Sequence, residues 1–198
     1  MQTRAEIADD EVLAMARKAG CQHVAVGVEV GNPKVRDLVK KGNTVDDVRR
    51  CAELIRRNGL RMSAFVILGL PWEGREEIVE TVDLIKEIRP YVVFPYMPTP
   101  GAGSELAGIM AKKNPKGLAK FRDVCHIDSG ADVSERMSAE ERAEVLEWAV
   151  KELTALNRRN LLVDLLSRPR FYLSFMRDLG LLRHPTQLLS YAGDLLGR

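Results

Sequence analysis

Over the first hundred residues, short apolar runs alternate with amphipathic stretches. Asp9-Asp10-Glu11 offers a helix cap and an acidic first turn, after which Val12, Met15, Ala16 and Ala19 share one helical face and Gly20 ends the pattern. The run His23-Val24-Ala25-Val26-Gly27-Val28 leads into Glu29 and predicts a buried strand. Thr44-Val45-Asp46-Asp47 is a variant capping box that opens a second helix. Its apolar face is Val45, Val48, Ala52 and Ile55, with Gly59 as the stop. Met62-Ser63-Ala64-Phe65-Val66-Ile67-Leu68 is too continuous to alternate, so it predicts a strand covered on both faces, broken by Gly69-Leu70-Pro71. Ile78, Val82, Ile85 and Ile88 mark a third helix that ends before Pro90, and Tyr91-Val92-Val93-Phe94 reads as the next strand.

Strands alternating with helices predict βα units and a parallel sheet, so the fold class is α/β. About three strands fit, too few to close a barrel, and at least one edge is left unpaired. Beyond residue 100 the pattern changes. Gly101-Ala102-Gly103 and Asn114-Pro115-Lys116-Gly117 are loop signals, and Ser138-Ala139-Glu140-Glu141 is a capping box opening a helix of about 28 residues that Pro169 interrupts. Pro185 opens a last helical stretch. The organisation expected is an α/β part over residues 1–106 and an α-helical C-terminal extension over residues 107–198.

Composition narrows the function classes. Of 198 residues 45% are hydrophobic, enough for one core, and 29% are charged with a formal net charge of only +2. That balance argues against a nucleic-acid partner, and the pairs Arg49-Arg50, Arg56-Arg57 and Arg158-Arg159 lie among acidic neighbours on helical faces. No apolar run approaches the ~20 residues that cross a bilayer, and the start of the chain lacks the apolar stretch of a signal peptide, so a cytoplasmic location is expected. Cys21, Cys51 and Cys125 have no short spacing between any two, which suits reduced, mostly buried thiols.

In parallel βα architectures, ligands sit at the carboxyl ends of the strands. Three segments qualify: residues 27–32, 68–73 and 96–101. Glu29 follows an apolar run, where its carboxylate could accept hydrogen bonds from ribose hydroxyls, cap the next helix or pair with a base such as Lys40. Gly69 permits close approach of a flat ligand or serves an ordinary βα turn. The Gly and Pro density after Tyr96 suits either a rigid binding loop or a domain boundary.

Taken in order, these segments resemble the second half of the radical S-adenosylmethionine (SAM) barrel, especially the subgroup that carries a cobalamin-binding domain. The resemblance rests on Gly27-Val28-Glu29-Val30-Gly31, Lys41-Gly42-Asn43-Thr44, Ile67-Leu68-Gly69-Leu70-Pro71-Trp72-Glu73 and Thr99-Pro100-Gly101-Ala102-Gly103-Ser104-Glu105-Leu106. Arg4 resembles an arginine that ends the preceding barrel strand. The resemblance implies a partial (βα)6, TIM-like barrel. It also implies a cofactor, SAM, that is cleaved reductively on a 4Fe–4S cluster to give a radical that abstracts hydrogen from substrate. By position, Glu29 would hold the ribose or the methionyl end of SAM, and Arg4 its carboxylate. Ile67, Leu68 and Gly69 would wall the adenine, and Tyr96 with Met97 would present backbone to its edge.

The chain departs from that family in lacking the Cys-x-x-x-Cys-x-x-Cys loop whose thiolates hold the cluster. It also lacks the glycine-rich segment that binds the SAM amino group, and the domain that would hold cobalamin. Val30 replaces Ser and Trp72 replaces Gly within the matched motifs. The reading that follows is a C-terminal portion of such an enzyme, inactive alone, with an upstream chain as a conceivable partner completing the barrel and a small-molecule or lipid-like substrate. Ser167-Arg168-Pro169-Arg170-Phe171-Tyr172-Leu173 resembles a segment found after the barrel in some cobalamin-type members, in rearranged order. The alternative is a non-catalytic helical interaction or membrane-surface module, since Leu161 to Leu196 is rich in Leu and Arg at amphipathic spacing.

Overall fold

The apolar runs form a parallel sheet, and the amphipathic stretches form the helices between its strands. The structure, a computed structural model, describes residues 1–101, 103–113, 134–167 and 169–170. The sheet contains β1 (Gln2–Thr3), β2 (His23–Glu29), β3 (Arg61–Ile67) and β4 (Val92–Tyr96), hydrogen-bonded in sequence order. Every neighbouring pair is parallel. The expectation of about three strands is therefore one short: the two residues of β1 are too few to give a periodic signal, yet they pair with Ala25 and Val26.

Helices connect the strands: α1 (Asp10–Lys18), α2 (Pro33–Leu38), α3 (Val45–Arg57) and α4 (Arg75–Ile88). Then follow α5 (Glu105–Lys113) and α6 (Ala139–Ser167). The chain divides into two compact units, Met1–Leu153 and Thr154–Arg198. The sheet and its helices belong to the first.

Strand order without reversal has a consequence for layering. Parallel crossovers share one hand, so a sheet wound always in one direction puts its helices on one face. The burial of β2 and β3 agrees: Val24, Val26, Val28, Met62, Ala64 and Val66 are buried, while the residues between them are half-buried. Val48, Ala52 and Ile55 of α3 and Ile78, Val82 and Ile85 of α4 are among the buried apolar residues of the connecting helices. Each buried valine, isoleucine or methionine among these contributes roughly 1.5–3 kcal/mol on leaving water. The expectation that β3 is covered on both faces needs correction. Its second face carries Ser63, Phe65 and Ile67, half-buried, and Phe65 stacks on Phe94 and Tyr96 with ring centroids 5.2 and 5.9 Å apart.

The caps are where the sequence places them. Asp9 accepts from Val12 N, Thr44 and Asp47 exchange bonds at the start of α3, and Ser138 and Glu141 do so at the start of α6. The predicted apolar face of the first helix is wrong, however. Leu13 alone is buried there, while Val12 and Met15 are 47% and 61% exposed. They lie on the connection next to β1, the edge strand, which among the described residues pairs with β2 alone. Residues 114–133, 168 and 171–198, which include Cys125, Pro185 and most of the leucine- and arginine-rich segment, lie outside the described residues.

Candidate functional site at the strand ends

Because β2, β3 and β4 run side by side in one direction, their carboxyl ends lie along one edge of the sheet. Glu29, the segment Ile67-Leu68-Gly69, and Tyr96-Met97 therefore share that edge. Leu68 N donates to Tyr96 O at 2.9 Å and fastens the ends of β3 and β4 together. A small apolar cluster joins β2 to β3: Val30, Val35 and Leu70 are buried, with Ile67 and Trp72 packed against them. Leu68 has its side chain fully buried, so only its backbone is available at the edge. Tyr96 and Met97 are half-buried.

Glu29 stands in an unusual conformation. Its φ is 66°, a region that non-glycine residues seldom enter, and Val30 N donates to Val28 O across it at 3.0 Å. The register against β3 shifts at the same point, from Gly27 opposite Phe65 to Glu29 opposite Val66. The turn folds the Glu29 side chain back over Gly27, where an added Cβ would lie 2.5 Å from Oε1. The Glu29 carboxylate thus occupies the space left by the missing side chain of Gly27, and a larger residue there would displace the Glu29 and Lys41 side-chain ends.

That carboxylate pairs with Lys41, Nζ to Oε1 2.8 Å, with both side chains about three-quarters buried. The base is Lys41 and not Lys40, whose ammonium reaches Glu105 at 3.0 Å. Arg4, 61% exposed in its side chain, forms an ion pair with Glu6 and donates from Nη2 to Lys41 O at 3.2 Å. Asn43 Nδ2 donates to the other oxygen of Glu6 at 2.7 Å. Burial works against ionisation of Glu6, but the bonds from Asn43 and the backbone, with the Arg4 charge, hold it below the usual carboxylate range. Arg4 and Glu29, 25 positions apart, therefore belong to one polar network (29 − 4).

The β3 end is built differently. Gly69 has φ 85°, and a side chain there would meet Arg142 Nη2 at 3.1 Å and Leu146 Cδ1 at 3.3 Å. The helix α6 fills the space in front of Gly69, so this glycine serves helix packing as well as the turn. Glu73 has no solvent exposure, and its Oε2 accepts from Gly69 N and Leu70 N, both at 2.8 Å. Its Oε1 is buried with no hydrogen-bond partner among the described residues. Burial dominates and pushes the Glu73 carboxyl up to about 7, against the opposing pull of the two backbone donors. Glu135 N donates to Pro71 O at 2.8 Å, and Arg136 pairs with Glu77, which ties the segment before α6 to this loop.

A cleft of about 660 Å³ lies among α2, the start of α3 and α4, and no residue of the strand-end edge named above lines it. Its polar groups are largely satisfied: Arg49 bonds Asp46 and Glu87, and Arg36 is turned into the protein. We place the candidate site at the strand ends on that ground.

The two described thiols, Cys21 and Cys51, do not fit a 4Fe–4S cluster. No group of three His, Cys, Asp or Glu able to hold a metal ion occurs among the described residues. Cys51 is buried, and burial pushes its thiol up to about 11. Cys21 donates to His23 O at 3.2 Å. Among the described residues no helix is long and apolar enough to cross a membrane.

Sequence reasoning missed Lys41 as the partner of Glu29, along with Glu6 and Arg36. A signal existed for the first, since Lys41 opens the quoted Lys-Gly-x-Thr segment. No pattern singled out Arg36.

Comparison with known proteins supports the same frame. A model described as the radical SAM superfamily matches residues 1–85. The anaerobic magnesium-protoporphyrin IX monomethyl ester cyclase of Rubrivivax gelatinosus is 33% identical over 98 residues, 50% of this chain and 18% of that protein. A tRNA-2-methylthio-N(6)-dimethylallyladenosine synthase of Sulfurihydrogenibium sp. is 25% identical over 141 residues, 70% of this chain and 32% of that one. The chain thus spans less than a third of the length of either relative. Among solved structures, coproporphyrinogen III oxidase HemN of Escherichia coli gives a TM-score of 0.55 at 18% identity, covering 78% of this chain and 31% of its own. The Elp3 protein of Methanocaldococcus infernus gives 0.55 at 22%, covering 75% and 31%. The methyltransferase TsrM of Kitasatospora setae, solved with cobalamin and a 4Fe–4S cluster, gives 0.53 at 20%, covering 79% and 35%. At these identities the solved structures speak for the fold. Residues 1–85, less than half of this α/β chain, are thus similar to the radical SAM superfamily.

Proposed function

We propose that this chain supplies one wall of a SAM-binding site of the radical SAM type, with the cluster ligands provided by residues outside it. SAM, when bound, would supply a cleavable sulfonium. The observation that carries the reading is the common edge formed by Glu29, Gly69 and Tyr96 on three adjacent parallel strands. Glu29 offers a carboxylate to ribose hydroxyls or the methionyl amine, and Lys41 holds that carboxylate in place. Arg4 faces the methionyl carboxylate. Ile67 with the backbone of Leu68 and Gly69 bounds the adenine, and the backbone at Tyr96 and Met97 meets its edge.

In this reading the chain alone takes up no cluster and cleaves no SAM. Further βα units, from an upstream segment or chain, pair with β1 and cover Ile7, Val12 and Met15, which are 65%, 47% and 61% exposed. Cobalamin belongs to the proposal only through a domain outside these residues. The near-balanced charge favours a small-molecule or lipid-like substrate over nucleic acid, and a cytoplasmic location completes the reading.

An azido-adenine analogue of SAM, photolysed with the purified chain, tests it. Labelled peptides should contain residues 67–70 or 96–97, with labelling reduced in Glu29→Gln. Labelling confined to other segments would overturn the assignment. A second reading, a membrane-surface module, is favoured by Leu162, Val163, Leu165 and Leu166, all 41–79% exposed on α6. Flotation with anionic liposomes tests that one, and failure of the chain to float removes it.

A further inference from the structure

Arg36 is the largest fully buried side chain of the described residues, 2% exposed, on the short helix just after the candidate carboxylate. A guanidinium taken so far from water is costly unless its donors are used. Here they are used in one small region. Nη1 donates to Val28 O at 2.9 Å and also to Val30 O, the two carbonyls that flank Glu29. Nε donates to Asn43 O at 3.2 Å, and Nη2 donates to Asn43 Oδ1. One planar fork therefore joins both sides of the left-handed turn at Glu29 to the loop that delivers Lys41.

We infer that Arg36 is a positioning residue for the strand-end site: it holds Glu29 in its left-handed turn and sets Lys41 against the Glu29 carboxylate, without itself touching a ligand. The ligand part of this inference rests on the reading above; the clamp itself does not. Geometry explains why the turn needs such a clamp. A glutamate at φ 66° is strained; Val28 O accepts from Val30 N across the turn, and Arg36 Nη1 bonds Val28 O and Val30 O together. Glu29, Asp47 and Glu6 supply the balancing negative charge around the buried guanidinium. Lysine cannot substitute, because one nitrogen cannot span Val28, Val30 and Asn43 together.

The test uses the full chain with Arg36→Lys, hydrogen exchange followed by mass spectrometry, side-chain NMR contacts, and titration with S-adenosylhomocysteine. In a folded Arg36→Lys variant, amides of residues 28–44 should exchange about tenfold faster or more while those of β3 and α4 stay unchanged. The contacts of Glu29 with Lys41 and Gly27 should be lost. Retention of those contacts and of wild-type exchange would overturn the proposal. If Arg36→Lys does not fold, Asn43→Asp, which keeps the acceptor for Nη2 but loses the donor to Glu6, should leave exchange near wild type, whereas Asn43→Ala, which loses both, should show the same local acceleration; equal exchange in the two variants would overturn the proposal instead. The two readings separate in the titration. If wild-type chain binds S-adenosylhomocysteine and the Arg36→Lys variant binds equally, the positioning role fails while the SAM reading stands. If wild type binds none but the exchange effect appears, the SAM reading fails while the clamp stands.

Discussion

The ends of β2 and β3 are neighbours on one sheet edge, yet they are held by opposite means. At β2 the chain turns through a strained glutamate, and charged side chains from the residue after β1, from α2 and from the loop before α3 secure it. The result is half-open, with Glu29 and Lys41 about a quarter exposed. At β3 a single buried carboxylate closes the loop on itself, and α6 seals it from outside through Arg142 and Leu146. Polar side chains placed at an open edge can change partners when a ligand arrives. A sealed loop with its donors already used offers a surface and little else. The β2 end is thus the more open and polar of the two, and the β3 end the more enclosed.

Substitutions can break this comparison in graded steps. The largest effect is expected at Gly31, where an added Cβ would lie 2.6 Å from Glu80 O and Thr81 Cα, both of which are backbone atoms of α4. Gly31→Ala should lower unfolding stability by about 3 kcal/mol or more, read by urea titration, because neither side can yield. Next comes pH at the β3 end. Glu73 ionises near 4.5 in the unfolded chain but only near 7 when buried, so the folded form binds the extra proton between those values. Stability from this group is full below about 4.5 and falls as pH rises through 7, by on the order of 3 kcal/mol. Glu73→Gln, which keeps an acceptor for the two amides, should abolish that decline in melts run from pH 4.5 to 8. Gly69→Ala is smaller, about 1 kcal/mol, because the φ of 85° is strained for alanine while the guanidinium it meets can shift. Smallest in stability is Glu29→Gln, under about 1 kcal/mol, since it weakens one partly exposed ion pair. Its effect on SAM-analogue binding should far exceed that, and equal losses in both would make Glu29 merely structural.

Much of the frame was legible in the sequence, because it rests on local rules. Capping residues around Asp9, Thr44 and Ser138 declare helix starts through bonds only a few residues long. The apolar spacing of Ile78, Val82, Ile85 and Ile88 declares a buried face. Where the sequence misled, distant parts of the chain decide. Val12 and Met15 look like core from their spacing, yet no described part of the chain buries them. Phe65 and Ile67 look like a doubly buried strand because stacked rings need apolar residues even on a half-open face. Arg36 looks like a surface charge, since nothing in its spacing reveals that three carbonyls and an amide oxygen will surround it. Gly69 reads equally as a ligand contact and as a helix contact until α6 is in place.

The most direct test is amide chemical-shift mapping of the full chain titrated with S-adenosylhomocysteine. Saturable shifts should gather at residues 27–31, 67–69 and 96–97 and disappear in Glu29→Gln. Shifts gathered instead around Arg49, Asp83 and Glu87 in the helix-side cleft, or none at saturating ligand, would contradict the account.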